Sequence, residues 1–266
     1  MISSSFLLYF PLGAIVGFLA GLLGIGGGAL VVPMLIVVFG WHGYSPDVLV
    51  HMALGTSLAS ITFTAMSSAW AHHRLGTVDW KIFRNITPGI LVGTYGGSFL
   101  AAVMHATHLQ AAFACFLIYL AYRILRGTQQ SSGSHLPGFV GMSLVGLTIG
   151  VISALVGIGG GSLIVVFLAW RSVDMRRAIS TSAAVGFPLA ISGSIGYIVN
   201  GLGNPALPEF CVGFVYIPAL LGIVVVSMLT APFGARMAHR MPVKTLRRIF
   251  AFFLLAISVK VLTGLL

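Results

Sequence analysis

Gly24-Ile25-Gly26-Gly27-Gly28-Ala29-Leu30 recurs 133 residues later as Gly157-Ile158-Gly159-Gly160-Gly161-Ser162-Leu163. The echo extends upstream, where Gly13 and Gly17 fall on Gly146 and Gly150 at the same offset. Consecutive glycines inside an apolar stretch interrupt a helix in surroundings where bare backbone is costly. Two such interruptions at matching points of two halves are the pattern expected around the binding site of a secondary transporter.

Composition sets the solvent. Of 266 residues, 58% are hydrophobic and only 7% are charged, and the mean hydropathy is +1.06. A soluble domain cannot hide that much apolar surface, so lipid must surround most of the chain. Lys and Arg number 14 against 4 acids, a net charge of +10. These charges sit in short loops between apolar runs, which points to membrane orientation and anionic lipid headgroups rather than to nucleic acid. Cys115 and Cys211 lie in different apolar runs without a CxxC partner, so both read as packing residues. No cofactor or metal set is evident. The run Phe6 to Leu23 carries part of the repeat and lacks a basic leader, so it belongs to the fold rather than to a signal peptide.

Apolar runs fall at about 6–23, 29–40, 48–71, 86–104, 109–125, 139–156, 162–170, 177–199, 211–232 and 246–265. A spanning helix needs roughly 20 residues. The 29–40 and 162–170 runs are shorter, and each follows a glycine cluster. Each therefore reads as a half-helix that completes a broken, re-entrant-like pair with the run before it. With that pairing, 13 of the 14 Lys/Arg fall on one face and only Lys260 lies near the other. This split sets the basic face inside and both termini outside. Each half then has one broken pair and three full spans, an odd number of crossings. The expected fold is an all-α integral membrane protein of two inverted-topology repeats. Residues 1–126 form the first repeat, 127–138 a polar cytoplasmic linker, and 139–266 the second repeat.

A second echo supports the division. Ala53-Leu54-Gly55-Thr56-Ser57 matches Ala178-Ile179-Ser180-Thr181-Ser182 at offset 125, and Ser67 meets Ser192. The doubled glycine motif, the two Thr-Ser segments and the closing His239-Arg240-Met241-Pro242 with Leu246-Arg247-Arg248 together resemble the TauE/SafE family of membrane exporters. The resemblance covers essentially the whole chain. It implies an anion exporter of the inner membrane, associated with sulfite and small organosulfonates. One departure is Pro33 in the first half-helix where the second has Val166.

The residues suggest how an anion would be held. Gly26, Gly27, Gly28 and Ala29, and likewise Gly159, Gly160, Gly161 and Ser162, open half-helices whose first N–H groups lack intrahelical partners. Such ends bind small anions without a cationic side chain. Close helix packing is the plainer reading of these glycines, and it suits Gly13, Gly17, Gly21, Gly146 and Gly150, which recur every four residues. Thr56, Ser57, Thr181 and Ser182 carry hydroxyls suited to an oxyanion, although a bond back to their own helix is the common alternative. No span contains a carboxylate, since Asp47, Asp79, Asp174 and Glu209 fall in or beside loops. That favours an anionic substrate over a cation. His51 is a candidate for proton coupling, and Asn200 reads as a helix cap.

The expected function is secondary export of sulfite or an organosulfonate by alternating access. The alternatives are a passive anion channel on the same fold and an intramembrane enzyme. The enzyme reading is the weaker of the two, because Ser162 is Ala29 in the other copy and no histidine holds a comparable place inside a span.

Overall fold

The computed structural model describes residues 9–18, 28–74, 76–126, 136–238 and 248, with 251–252, 254–256, 258–259 and 261. Gly24 to Gly27, most of the linker and residues 239–247 lie outside the described residues. Nine helices are described before the C-terminal stretch. They are α1 (Tyr9–Phe18), α2 (Gly28–Trp41), α3 (Pro46–Arg74), α4 (Trp80–Val103), α5 (Ala106–Arg126), α6 (Phe139–Val156), α7 (Gly161–Trp170), α8 (Met175–Gly201) and α9 (Ile217–Ala238). Helical residues recur at 248 and between 251 and 261.

The protein is an all-α membrane protein. Helices satisfy every backbone group internally, which lipid requires. α3, α4, α6 and α8 are long and apolar enough to cross a bilayer. α5 has the length but falls outside those four; Thr107, His108 and Gln110 begin it and Arg126 ends it. α2 and α7 are the short helices expected after the glycine clusters, at 14 and 10 residues. All four tryptophans are exposed at or near helix ends: Trp41, Trp70, Trp80 and Trp170. Amphipathic rings favour the headgroup level, so this placement marks the two interfaces. The Arg74 guanidinium lies 3.7 Å over the Trp70 ring.

α3 and α8 form the centre. They bury 83% and 61% of their apolar windows, against 44% and 39% for α4 and α6. These two central helices carry the Thr-Ser pairs.

Glycines set how closely the outer helices approach. α4 and α6 meet through glycines on both sides. A Cβ on Gly89 would land on the Ser143 carbonyl, and one on Gly93 on the Leu147 carbonyl. From the other side, a Cβ on Gly146 would land on the Ile86 carbonyl, and one on Gly150 would lie 2.7 Å from the Ile90 oxygen. α1 meets α9 in the same manner. A Cβ on Gly13 would lie 2.9 Å from the Gly222 oxygen, and one on Gly17 2.5 Å from the Ser227 Cα. The four-residue glycines are therefore packing residues, as their spacing implies. The contact is also reciprocal, since α1 of the first half packs on α9 of the second and α6 of the second packs on α4 of the first.

Hydrogen bonds repeat this exchange. The Asp79 N–H, at the head of α4, donates to Thr181 Oγ1 at 2.9 Å. The Tyr216 N–H, at the head of α9, donates to Thr56 Oγ1 at 3.0 Å. Each central threonine thus accepts from the first orphan N–H of a helix in the other half. Asp79 and Asp174 also cap helices, accepting from the backbone of Lys81 and Ile82, and of Arg176 and Arg177. Their negative charge there complements the positive helix end.

The 211–232 run differs from its reading as one uniform span. Residues Cys211–Val212 and Val215–Tyr216 pair as a small antiparallel hairpin, and α9 starts only at Ile217. Gly213 turns the hairpin at φ 55° and lets it press on α8, where a Cβ would land on the Ile198 carbonyl. Asn200 is likewise not the cap of α8, which closes at Leu202. Its Nδ2 donates to the Gly196 carbonyl at 2.7 Å.

Candidate functional site

The second glycine cluster is a helix break. α6 closes on Gly157 in the left-handed conformation, φ 67°. α7 opens after Gly160, also left-handed at φ 64° and without a side-chain cap. Non-glycine residues seldom adopt either angle, which explains why glycine stands at both positions. Four residues therefore separate the two helices.

An account of the polar groups in this break shows an imbalance. Five of its carbonyls are occupied. The Ser153 oxygen accepts from the Ile158 N–H, and the Ala154 oxygen from the Gly157 N–H and from Tyr197 Oη at 2.9 Å. The Gly157 oxygen accepts from Ser57 Oγ at 2.8 Å. The Ile158 oxygen accepts from the Gly160 N–H, and the Gly160 oxygen from the Ile164 N–H. The donors are in surplus. The N–H groups of Gly159, Gly161, Ser162 and Leu163 have no backbone acceptor among the described residues. Two buried hydroxyls, Ser153 Oγ and Ser162 Oγ, have no hydrogen-bond partner. Ser153 is 1% exposed. Its Oγ lies 3.0 Å from the point where a Cβ on Gly160 would sit. Leaving buried donors unpaired costs about 1–3 kcal/mol each. A break with these unpaired donors and the positive end of α7 suits an anion.

The two copies of the glycine motif meet here. A Cβ on Gly28, the first residue of α2, would lie 3.2 Å from Ile158 Cα and 3.3 Å from the Gly159 nitrogen. Ala29 follows it, buried. Gly26 and Gly27 lie outside the described residues. The buried Ile61 of α3 bridges the meeting point. Its Cδ1 would lie 2.6 Å from a Cβ on Gly28, and its Cγ2 2.7 Å from one on Gly159. Gly186 holds the matching place at offset 125, and a Cβ there would lie 3.4 Å from the Gly159 carbonyl.

The structure therefore brings together Gly28, Ala29, Gly159, Gly160, Gly161 and Ser162, with Ser57 on the Gly157 carbonyl. Thr56 and Thr181 instead hold the helix heads described above. Ser182 donates to the Ile179 carbonyl at 2.9 Å in its own helix. Ser192 donates to the Leu91 carbonyl at 2.8 Å and ties α8 to α4. Where the end of α3 meets the start of α8, Ser180 Oγ lies 2.7 Å from Thr77 Oγ1 and 3.0 Å from His72 Nδ1. His51 is a tie between helices. Its Nδ1 lies 3.0 Å from the Asp47 carbonyl and its Nε2 2.9 Å from the Ala101 carbonyl at the end of α4. The ring also stacks on Phe214 of the hairpin. Among the described residues, no group of three His, Cys, Asp or Glu could hold a metal ion.

Reading the sequence missed Ser153, Ile61 and Tyr197. Ser153 had one signal. At the 133-residue offset it stands against Ala20, a polar residue where the other copy is apolar.

Long apolar helices, glycine-lined contacts and a broken helix with unpaired donors define a membrane transporter. The chain belongs to the family described as "Sulfite exporter TauE/SafE", which it matches over residues 9–261. A "Probable membrane transporter protein" of Haemophilus influenzae is 38% identical over 256 residues, covering 95% of this chain and 96% of that relative. Another so described, from Methanocaldococcus jannaschii, is 33% identical, with 91% of each chain covered. A third, from Bacillus subtilis, is 30% identical over 89% of this chain and 90% of the relative. No solved structure matches.

Proposed function

We propose that this protein is a secondary transporter that exports a small sulfur-containing anion, sulfite or an organosulfonate, by alternating access across the cytoplasmic membrane. The observation that carries the reading is the donor surplus at the break between α6 and α7. Four backbone N–H groups there have no backbone acceptor among the described residues, and two buried hydroxyls have no hydrogen-bond partner. A pyramidal oxyanion offers three acceptor oxygens to such a set. The family description points to the same chemistry.

Inverted repeats supply the moving parts. The reciprocal contacts of α1 with α9 and of α6 with α4, and of Thr56 and Thr181 with the opposite helix heads, are what a pseudo-two-fold in the membrane plane would produce. On this reading the basic loops face the cytoplasm and both termini face outside. The central pair α3 and α8 rocks against the flanking helices around the glycine breaks. His51, which joins α3 to the end of α4, would move with that rearrangement and is the residue placed to couple protons to it.

Purified protein in liposomes tests the proposal. Radiolabelled sulfite should accumulate against its gradient when a pH gradient is imposed. Equilibration that stops at equal concentrations would make the protein a passive anion channel. Absence of sulfite and sulfonate flux under any gradient would refute anion transport altogether.

A further inference from the structure

We infer that the anion is held on one side of the pseudo-two-fold only, with Ser153 and Ser162 as its hydroxyl ligands. This rests on the anion-transport reading and specifies the site it requires.

Ser153 behaves unlike four other buried hydroxyls of the helices. Ser60, Thr94, Ser194 and Ser227 each donate to a carbonyl one turn back in their own helix, at 2.7–3.1 Å. That is the usual resting place of such a group in an apolar helix. Ser153 sits in the last turn of α6, 1% exposed, and makes no such bond. A Cβ on Gly160 would meet Leu189 Cδ1, Ser153 Oγ and Ile149 Cγ2. Ser162, second residue of α7, presents a hydroxyl in the same condition beside its own unpaired N–H. The break thus has one unpaired hydroxyl on each of its two helices, beside the unpaired amides at the head of α7.

The first copy lacks this chemistry. The residues matching Ser153 and Ser162 are Ala20 and Ala29. Where the copies touch, Ile61 covers Gly28 and Gly159 with an aliphatic side chain. At Ala20 and Ala29 the first copy carries no hydroxyl. Hydroxyl and amide donors in an apolar enclosure favour an oxyanion, a strong acceptor, over a halide of the same charge.

The test uses the full chain, reconstituted for flux and in detergent for ligand-induced thermal stabilisation. Sulfite and methanesulfonate are the oxyanion probes and chloride is the control. Ser153→Ala should raise the half-saturating sulfite concentration roughly tenfold, and Ser162→Ala about fivefold, the loss expected for a hydrogen bond to an anion. Stabilisation by sulfite should fall in parallel, while melting without ligand holds or rises. Ser153→Thr should recover part of the affinity. Ala20→Ser should leave sulfite affinity within twofold. Wild-type flux with unchanged affinity in both serine-to-alanine variants would overturn this assignment and leave anion transport standing. Equal loss on altering Ala20 would overturn the one-sidedness. A wild type that neither carries nor is stabilised by either oxyanion would overturn the transport reading and this site with it.

Discussion

The glycines of the α4–α6 contact and those of the break at 157–160 do opposite work. At the contact they recur every four residues, keep helical geometry and remove side chains so that two backbones can touch. At the break they stand close together, two of them left-handed, and remove the helix itself. The first set satisfies the membrane by packing, the second leaves donors unsatisfied. Spacing, more than residue type, separates scaffold from site.

The most damaging way to probe this contrast is at the contact. Gly93→Leu or Gly150→Leu would drive a side chain into the facing backbone, where overpacking costs about 1–3 kcal/mol or more. Neither variant should yield a monodisperse protein by size-exclusion chromatography. A well-folded Gly93→Leu protein would show that α4 and α6 need not touch. At the break the protein should fold but fail. Gly160→Ala strains a backbone at φ 64° by about 1 kcal/mol and crowds Ser153 Oγ. Sulfite flux should drop at least tenfold with near-normal yield. Unchanged flux would move the site elsewhere.

Ser57→Ala tests the link between the central helix and the break. It leaves the Gly157 carbonyl without its partner and should cost about 1 kcal/mol, read as a lower melting temperature. Ser182→Ala, whose bond stays within its own helix, should cost less. The smallest effect belongs to the hairpin, where a third glycine use, the turn at Gly213, packs Cys211 inward. Burial pushes the Cys211 thiol up to about 12. A raised thiol pKa keeps the unreactive protonated form, so maleimide labelling should be slow at pH 7. Its rate should rise about tenfold per pH unit through pH 10 with no plateau. A plateau near pH 9 would mean an ordinary, accessible thiol.

Much of the fold was legible because apolar runs and glycine clusters are local signals. The short helices α2 and α7 fall where the motif places them. The exchange of partners between halves was not legible, since α9 carries no motif that pairs it with α4. The hairpin was hidden because Cys211 to Tyr216 is as apolar as the helix it precedes, and Gly213 alone announced it. For the site, the glycines and Ser162 came from repetition. Ser153 did not, because repetition draws the eye to what matches and Ser153 is where the copies differ. The threonines illustrate the converse. Thr56 and Thr181 match because each performs the same structural task in the opposite half.

That task bears on how the chain is made. The head of α4 is completed by Thr181 and the head of α9 by Thr56, and the glycine face of α1 finds its partner in α9. A ribosome delivers these segments far apart in time. The opening helix therefore waits in the bilayer, its groove uncovered, until nearly the whole chain has emerged. Assembly is complete only when the last strands of the exchange are in place, so a nascent chain stalled after the first half is an incomplete object for quality control to find.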